Sequence, residues 1–262
     1  MRSTALEAYG ARVAVRASSA ALLAAIQRSL PWCSVSGVDS RIAGHYSLEQ
    51  NRPGTSRRYT AFEDGLVLTQ SDDLDTAIEY LESVIRLRIA EHAARRVFVH
   101  AGVVGWNGRA ILIPARSFAG KSTLVAALVE RGAVYYSDEY AVCDARGRVH
   151  PFARTLNLRA DRLAEGQSVP AAAIRAHEGK PPLPVGLVVI TKFTKSAVWR
   201  PRPVSRGAAA LELLDNTVSA RRSPEKAIAT LQKVVAEAQV LKSPRGEAAL
   251  FAETLLRRHA DW

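Results

Sequence analysis

The stretch Ala115-Arg116-Ser117-Phe118-Ala119-Gly120-Lys121-Ser122 leaves this chain few ways to fold around it. An apolar run, Arg109-Ala-Ile-Leu-Ile-Pro114, leads in, and Thr123-Leu-Val-Ala-Ala-Leu-Val-Glu130, rich in helix formers, leads out. Strand, loop, then helix, with Gly-Lys-Ser at the last turn of the loop, is the context of a phosphate-binding loop; Ala115 stands where the usual pattern has its first glycine. In such a loop successive backbone N–H groups and a helix N-terminus point at one place and hold a polyphosphate. Residues 115–122, together with Thr123, are therefore the candidate nucleotide-binding set. Lys121 would reach the β- and γ-phosphates and the Ser122 hydroxyl would help hold Mg²⁺, so ATP and Mg²⁺ are the implied ligands. The competing reading is an ordinary strand–turn–helix connection.

The chain before this segment reads as a small α+β region over residues 1–95. Ala11-Arg-Val-Ala-Val-Arg16 alternates as a half-buried strand does. Ser18 or Ser19 can cap a helix over residues 20–28, which stops before Pro31. A Gly-, Ser- and Asn-rich loop from Gly37 to Gly54 follows, with a strand inside it near Ile42–Leu48. Segments 57–62 and 65–69 flank Glu63-Asp64 as a hairpin. Leu74, Ile78, Leu81, Val84, Ile85 and Ile89 then give one apolar face to a long helix over 74–94. Asp72 and Asp73 precede it and Arg95-Arg96 follow it, as the helix dipole favours.

Residues 96–262 form the second region and carry the chemistry. Val97–Val104 is a strand, and Asn107-Gly108, the strongest short hairpin signal, turns it into the strand that feeds the loop. Ala133–Tyr136 is the next strand, with Ser137-Asp138-Glu139 at its end, and residues 141–152 read as a hairpin. Pro170, Gly179, Pro181 and Pro182 mark 161–183 as a lid-like connection; Val185–Thr191 is a buried strand. Helices follow over 208–214, from Ser223-Pro224 to Ala238, and from Gly246 to His259. The fold class is α/β with α+β character.

A phosphate loop binds a nucleotide without choosing the reaction. Two adjacent carboxylates one helix later can divide the remaining work: one accepts the proton of an attacking hydroxyl, the other helps hold the metal. A solvated acidic pair at a strand end is the plainer alternative. His100, inside an apolar strand, reads on its own as a satisfied core histidine.

These pieces in this order resemble the catalytic domain of bacterial HPr kinase/phosphorylase, and more closely the HPr kinase-like serine kinases, some of which sit with lasso-peptide pathways. The resemblance is carried by Val99-His100-Ala101-Gly102-Val103, Leu112 through Thr123, Arg131-Gly132, Ser137-Asp138-Glu139, 147–152 and 155–159, with a fainter match over 216–224. It implies a P-loop domain related to phosphoenolpyruvate carboxykinase, Asp138 as catalytic acid/base beside Lys121, Glu139 with Ser122 at the metal, and His100 close to the phosphates. Arg221 or Arg222 falls where a phosphate contact would lie. Arg116 and Phe118 depart from the small residues of such loops. The family's full C-terminal signature is not found, so the resemblance does not extend to HPr as substrate or to phosphorylase activity.

The activity so implied is transfer of a phosphoryl group from ATP to a hydroxyl, a serine for preference, on a peptide, protein or small molecule. The alternative, supported by Phe118, is a nucleotide-binding accessory protein of a biosynthetic pathway with little catalysis. The net charge of +11 raises nucleic acid as a third partner class, but the arginines are dispersed, in pairs such as Arg57-Arg58 and Arg257-Arg258, without an aromatic stripe, and a solvated basic surface is preferred. No apolar run approaches a membrane span and the N-terminus lacks a secretory core, so a cytoplasmic protein is expected. Cys33 and Cys143 have no metal-ligand spacing and read as buried apolar residues. The N-terminal region is left to recognise substrate or to build a homo-oligomer.

Overall fold

The computed structural model describes residues 1–36, 42–52, 54, 57–115, 120–152 and 179–262. They divide into two units, Met1–Arg95 and Arg96–Trp262.

The first unit begins with a hairpin, β1 (Arg2–Ala8) and β2 (Ala11–Ala17), followed by α1 (Ala20–Ser29), β3 (Ser34–Ser36), β4 (His45–Gln50), β5 (Tyr59–Glu63), β6 (Leu66–Ser71) and α2 (Leu74–His92). The sheet order is β3-β1-β2-β4-β5-β6, antiparallel except for β2 beside β4. Ser19 is the N-cap of α1, its hydroxyl accepting from the Leu22 N–H at 3.2 Å. Asp73 caps α2 in the same way through Thr76, at 2.8 Å. Leu22 and Ile26 of α1 and Leu81, Ile85 and Ile89 of α2 bury one core against Val13, Val15, Leu48 and Ala61 of the sheet. The second hairpin turns at Asp64-Gly65, one residue later than the sequence suggested, because these two residues take the left-handed angles (φ 47° and 85°) that a tight two-residue turn requires.

The second unit contains β7 (Val97–Trp106), β8 (Arg109–Pro114), α3 (Lys121–Val129), β9 (Val134–Ser137), β10 (Tyr140–Cys143), β11 (Val149–His150), β12 (Val185–Ile190), β13 (Arg202–Pro203), α4 (Arg206–Asp215), α5 (Pro224–Ala236), β14 (Gln239–Lys242) and α6 (Ala248–Arg258). Its sheet runs β11-β10-β7-β8-β12-β14-β13, with β9 also on β7. β8, β12 and β14 are parallel, and β7 returns antiparallel to β8 through Asn107-Gly108 (φ 44° and 78°). One face of the sheet is covered by α3 and α6, which bury Leu124, Val125, Leu128, Phe251 and Leu255 against Ile111, Ile113, Leu187 and Val189. The other is covered by α4 and α5, through Leu213, Leu231 and Val234 against Val99, Val103, Leu112 and Val188. The unit is thus a mixed sheet between two helical layers, and the α/β architecture with α+β character is what the molecule has.

Four strands escaped the sequence reading: β1, β3, β13 and β14 all lie where no element was expected, β14 starting directly after the helix that was expected to end at Ala238. The expectations for 155–159 and for a lid over most of 161–183 fall on residues outside those described. No helix among the described residues is long and apolar enough to cross a membrane.

Candidate functional site

The site is built where the parallel strands end, the edge at which open α/β sheets place ligands. β8 stops at Pro114, and Ala115 donates its N–H to the His100 carbonyl at 3.3 Å, so the loop starts pinned to β7. Arg116, Ser117, Phe118 and Ala119 lie outside the described residues. The chain re-enters at Gly120, the N-cap of α3, with φ 79°. That left-handed angle is the reason for glycine here, since a side chain would be strained. The cap makes no side-chain hydrogen bond and the first turn of α3 holds no acidic residue, so the positive end of the helix dipole is not neutralised from within the helix.

Lys121 and Ser122 form the first turn. The Lys121 ammonium donates to the Ala115 carbonyl at 2.5 Å, joining the two ends of the loop. Burial pushes its pKa down, while Asp138 and Glu139 act in the opposite sense. The Ser122 hydroxyl donates to Asp138 Oδ2 at 2.9 Å. Asp138 Oδ1 accepts from the Tyr135 hydroxyl at 3.0 Å, and only 4% of the residue is exposed. A hydrogen bond to a carboxylate is worth roughly 1.5–3 kcal/mol, more than a neutral one, so the two donors fix this carboxylate firmly.

Strand register explains how Asp138 comes to face α3. Tyr140 lies opposite His100 on β7, and Ser137 lies opposite Val103, in one continuous register. Tyr135, however, lies opposite Val104, so Tyr136 is an extra residue at a bulge. Side chains alternate along a strand, and one extra residue reverses the alternation. Counted in register, Asp138 falls level with Gly102, beneath the start of α3. Gly102 is glycine for the same reason: a Cβ there would stand 2.6 Å from Val125 Cγ2.

His100 completes the cluster. Its ring lies against Tyr140 with centroids 4.7 Å apart, and Nδ1 is buried without a hydrogen-bond partner among the described residues. Burial first, and then the nearby Lys121 charge, hold its pKa below 6.5; Glu139 opposes them. The structure therefore brings together His100, Lys121, Ser122, Asp138 and Glu139 at the opening of α3. It does not bring Arg221 or Arg222 into that cluster by any hydrogen bond or ion pair it shows among the described residues; both are exposed in the turn between α4 and α5.

Three neighbours carry no local sequence signal of their role. Tyr135 orients Asp138 and Gly102 admits α3. Arg245, in the connection between β14 and α6, is only 3% exposed. Its guanidinium donates to the Gly120 carbonyl at 3.0 Å and to the Gly246 carbonyl at 2.9 Å. Nε is buried with no partner among the described residues, and burial lowers the pKa, with Glu247 opposing. Arg245 is thus a buried cation at the loop, held by carbonyl oxygens rather than by an ion pair among the described residues.

The oxygen donors suit a hard cation. Mg²⁺ is commonly held by one or two carboxylates together with substrate phosphates, and here a hydroxyl and a carboxylate already touch, with Glu139 adjacent. No cluster of three or more His, Cys, Asp or Glu side chains able to hold a metal occurs among the described residues, so phosphate oxygens would have to complete the shell.

No protein-family model matches the chain, and no curated protein matches it. Among solved structures the chain is similar to the HPr(Ser) kinase/phosphatase from Coxiella burnetii, with 15% identity over 62% of this chain and 95% of that one and a TM-score of 0.34.

Proposed function

We propose that this chain is an ATP- and Mg²⁺-dependent phosphotransferase that modifies a hydroxyl, of serine type, on a peptide, protein or small-molecule acceptor. The observation that carries this reading is the 2.9 Å contact between Ser122 on the first turn of α3 and the buried Asp138. A loop that only bound phosphate would not need a carboxylate against its serine. A loop that holds a metal with its nucleotide does.

In this reading the amides opening α3, with Lys121, hold the β- and γ-phosphates. Ser122, Glu139 and Asp138 would provide oxygen atoms for Mg²⁺, which when bound would offset charge on the transferring group. Asp138 accepts the acceptor's hydroxyl proton as the new O–P bond forms and the bond from the γ-phosphorus to the β–γ bridging oxygen breaks, leaving ADP. The hydrogen bonds from Ser122 and Tyr135 hold the two Asp138 oxygens in place for this purpose. His100, whose pKa is held down by burial and by the Lys121 charge, can donate or accept a hydrogen bond beside the phosphates.

The test is purified protein with γ-labelled ATP, Mg²⁺ and a panel of hydroxyl-bearing peptides and small molecules, read by label transfer and by mass. Asp138→Asn should lower transfer by at least ~100-fold while ATP still binds. Undiminished transfer by that variant would remove Asp138 from the mechanism. Nucleotide binding with no turnover on any native-pathway hydroxyl would favour the accessory-protein reading.

A further inference from the structure

The same strand ends that flank the phosphate loop carry a second feature, an aromatic ring held out beside it. β12 and β14 run parallel, with Ile190 level with Lys242, and the pairing continues beyond the strands to Phe193 and Arg245. Ser243 donates to the Ile190 carbonyl at 3.2 Å, Arg245 to that of Lys192 at 3.0 Å, and Thr194 to that of Arg245 at 2.9 Å. These bonds lace the two connections together and fix the backbone on both sides of Phe193. The ring itself is not in the core: Phe193 is 43% exposed. The Arg245 guanidinium lies over it, with Cζ 5.7 Å from the ring centroid, within the range of cation–π attraction. That guanidinium also donates to the carbonyl of Gly120, at the start of α3. One side chain therefore reaches both the phosphate-loop helix and the ring.

We propose that Phe193 is the stacking platform for the base of a nucleotide whose phosphates lie in the loop, with Arg245 as the positioning residue that holds ring and helix in register. The inference rests on the nucleotide-binding reading of the loop and specifies the nucleoside half of that site. What sets this exposed ring apart is the side chain it shares with the phosphate-loop helix, and a planar base is the group that a phosphate site one side chain away would deliver to it. Stacking needs only a π-face, so this platform accepts the base without reading its edge. A cation on one face of the ring draws electron density from the other, which favours an electron-rich purine there.

The test compares ATP with inorganic tripolyphosphate, each titrated calorimetrically with Mg²⁺ into wild type, Phe193→Ala and Phe193→Trp. The ring's exposure makes both variants compatible with folding, and thermal unfolding checks that directly. The expected result is a loss of ATP affinity of about tenfold or more in Phe193→Ala, recovery in Phe193→Trp, and unchanged tripolyphosphate affinity throughout. Wild-type ATP affinity in Phe193→Ala would overturn the inference and leave the loop reading standing. Equal losses for both ligands would overturn it too, by showing that the ring only supports the loop. If wild type bound neither ligand, the loop reading would fail and this inference with it.

Discussion

Adding one methyl group at Gly102 tests whether close approach of α3 to β7 sets the geometry of the site. Gly102 is not at a left-handed φ, so alanine meets no backbone penalty and the effect is purely steric. The new Cβ would stand 2.6 Å from Val125 Cγ2, with Ile113 Cβ at 3.9 Å and Lys121 Cβ at 4.0 Å in ordinary contact. Carbon atoms pack best at about 3.5–4.0 Å, so relief requires a shift of about 1 Å. Val125 is fully buried, and a β-branched residue in a helix has little rotamer freedom, so α3 must move as a body. Overpacking of this kind costs about 1–3 kcal/mol, a few degrees in the Tm of a unit this size. The functional loss should be larger, roughly 100-fold in phosphoryl transfer, because Lys121 and Ser122 ride on the displaced turn. Gly102→Ala with Val125→Ala removes the opposing methyl and should recover much of both losses. Thermal unfolding and label transfer on the four members of this double-mutant cycle measure the coupling. Stability changes that add to within about 0.5 kcal/mol would refute the steric account, as would a destabilised Gly102→Ala that transfers phosphate normally.

Two further outcomes follow from the charges at the loop. His100 has a folded pKa below its unfolded value of 6.5, so the unfolded chain binds the proton first on acidification. Its contribution is therefore present above that pH and lost as the pH falls through 6.5 toward the folded value. The stability advantage of wild type over His100→Gln should shrink over that interval, and parallel pH–Tm profiles would count against a buried neutral imidazole. For Arg245→Met the reasoning concerns a buried cation without an ion pair among the described residues. Replacing it with an apolar side chain should leave Tm at or above wild type while ATP affinity falls about tenfold, because the ring and the helix lose their common tie. Unchanged ATP affinity in this variant would remove Arg245 from the positioning role.

Features written in adjacent residues were legible from the sequence. Asn107-Gly108, the apolar stripe of α2, the Ser-Pro start of α5 and the run of β12 each announce themselves because the physics that decides them is local. β14 was not legible: Gln239-Val-Leu-Lys242 is four residues with two apolar side chains, and it is a strand because β12 offers it a parallel partner. β1 was hidden by its turn, since Tyr9 at φ 53° lacks the dipeptide that normally marks so tight a hairpin. The same division holds at the site. Gly120, Lys121 and Ser122 stand together in the chain, and Asp138-Glu139 could be placed one helix away. The contact between Ser122 and Asp138, by contrast, depends on the strand register that sets Asp138 level with Gly102. Arg245 lies 125 residues from the carbonyl it binds, and nothing near it in the chain marks that partnership.

The bulge at Tyr136 is slack in the connection between α3 and Asp138. Tyr135 lies opposite Val104 and Ser137 opposite Val103, so the two registers already meet at neighbouring residues of β7 and Tyr136 is the one residue between them without a place in the ladder. Deleting it would close the bulge, leave Asp138 level with Gly102 and keep its carboxylate on the α3 side. The facing of Asp138 is therefore held by the pairing of residues 137–143 with β7, and the connection can lose one residue at 136 without turning the carboxylate away from Ser122.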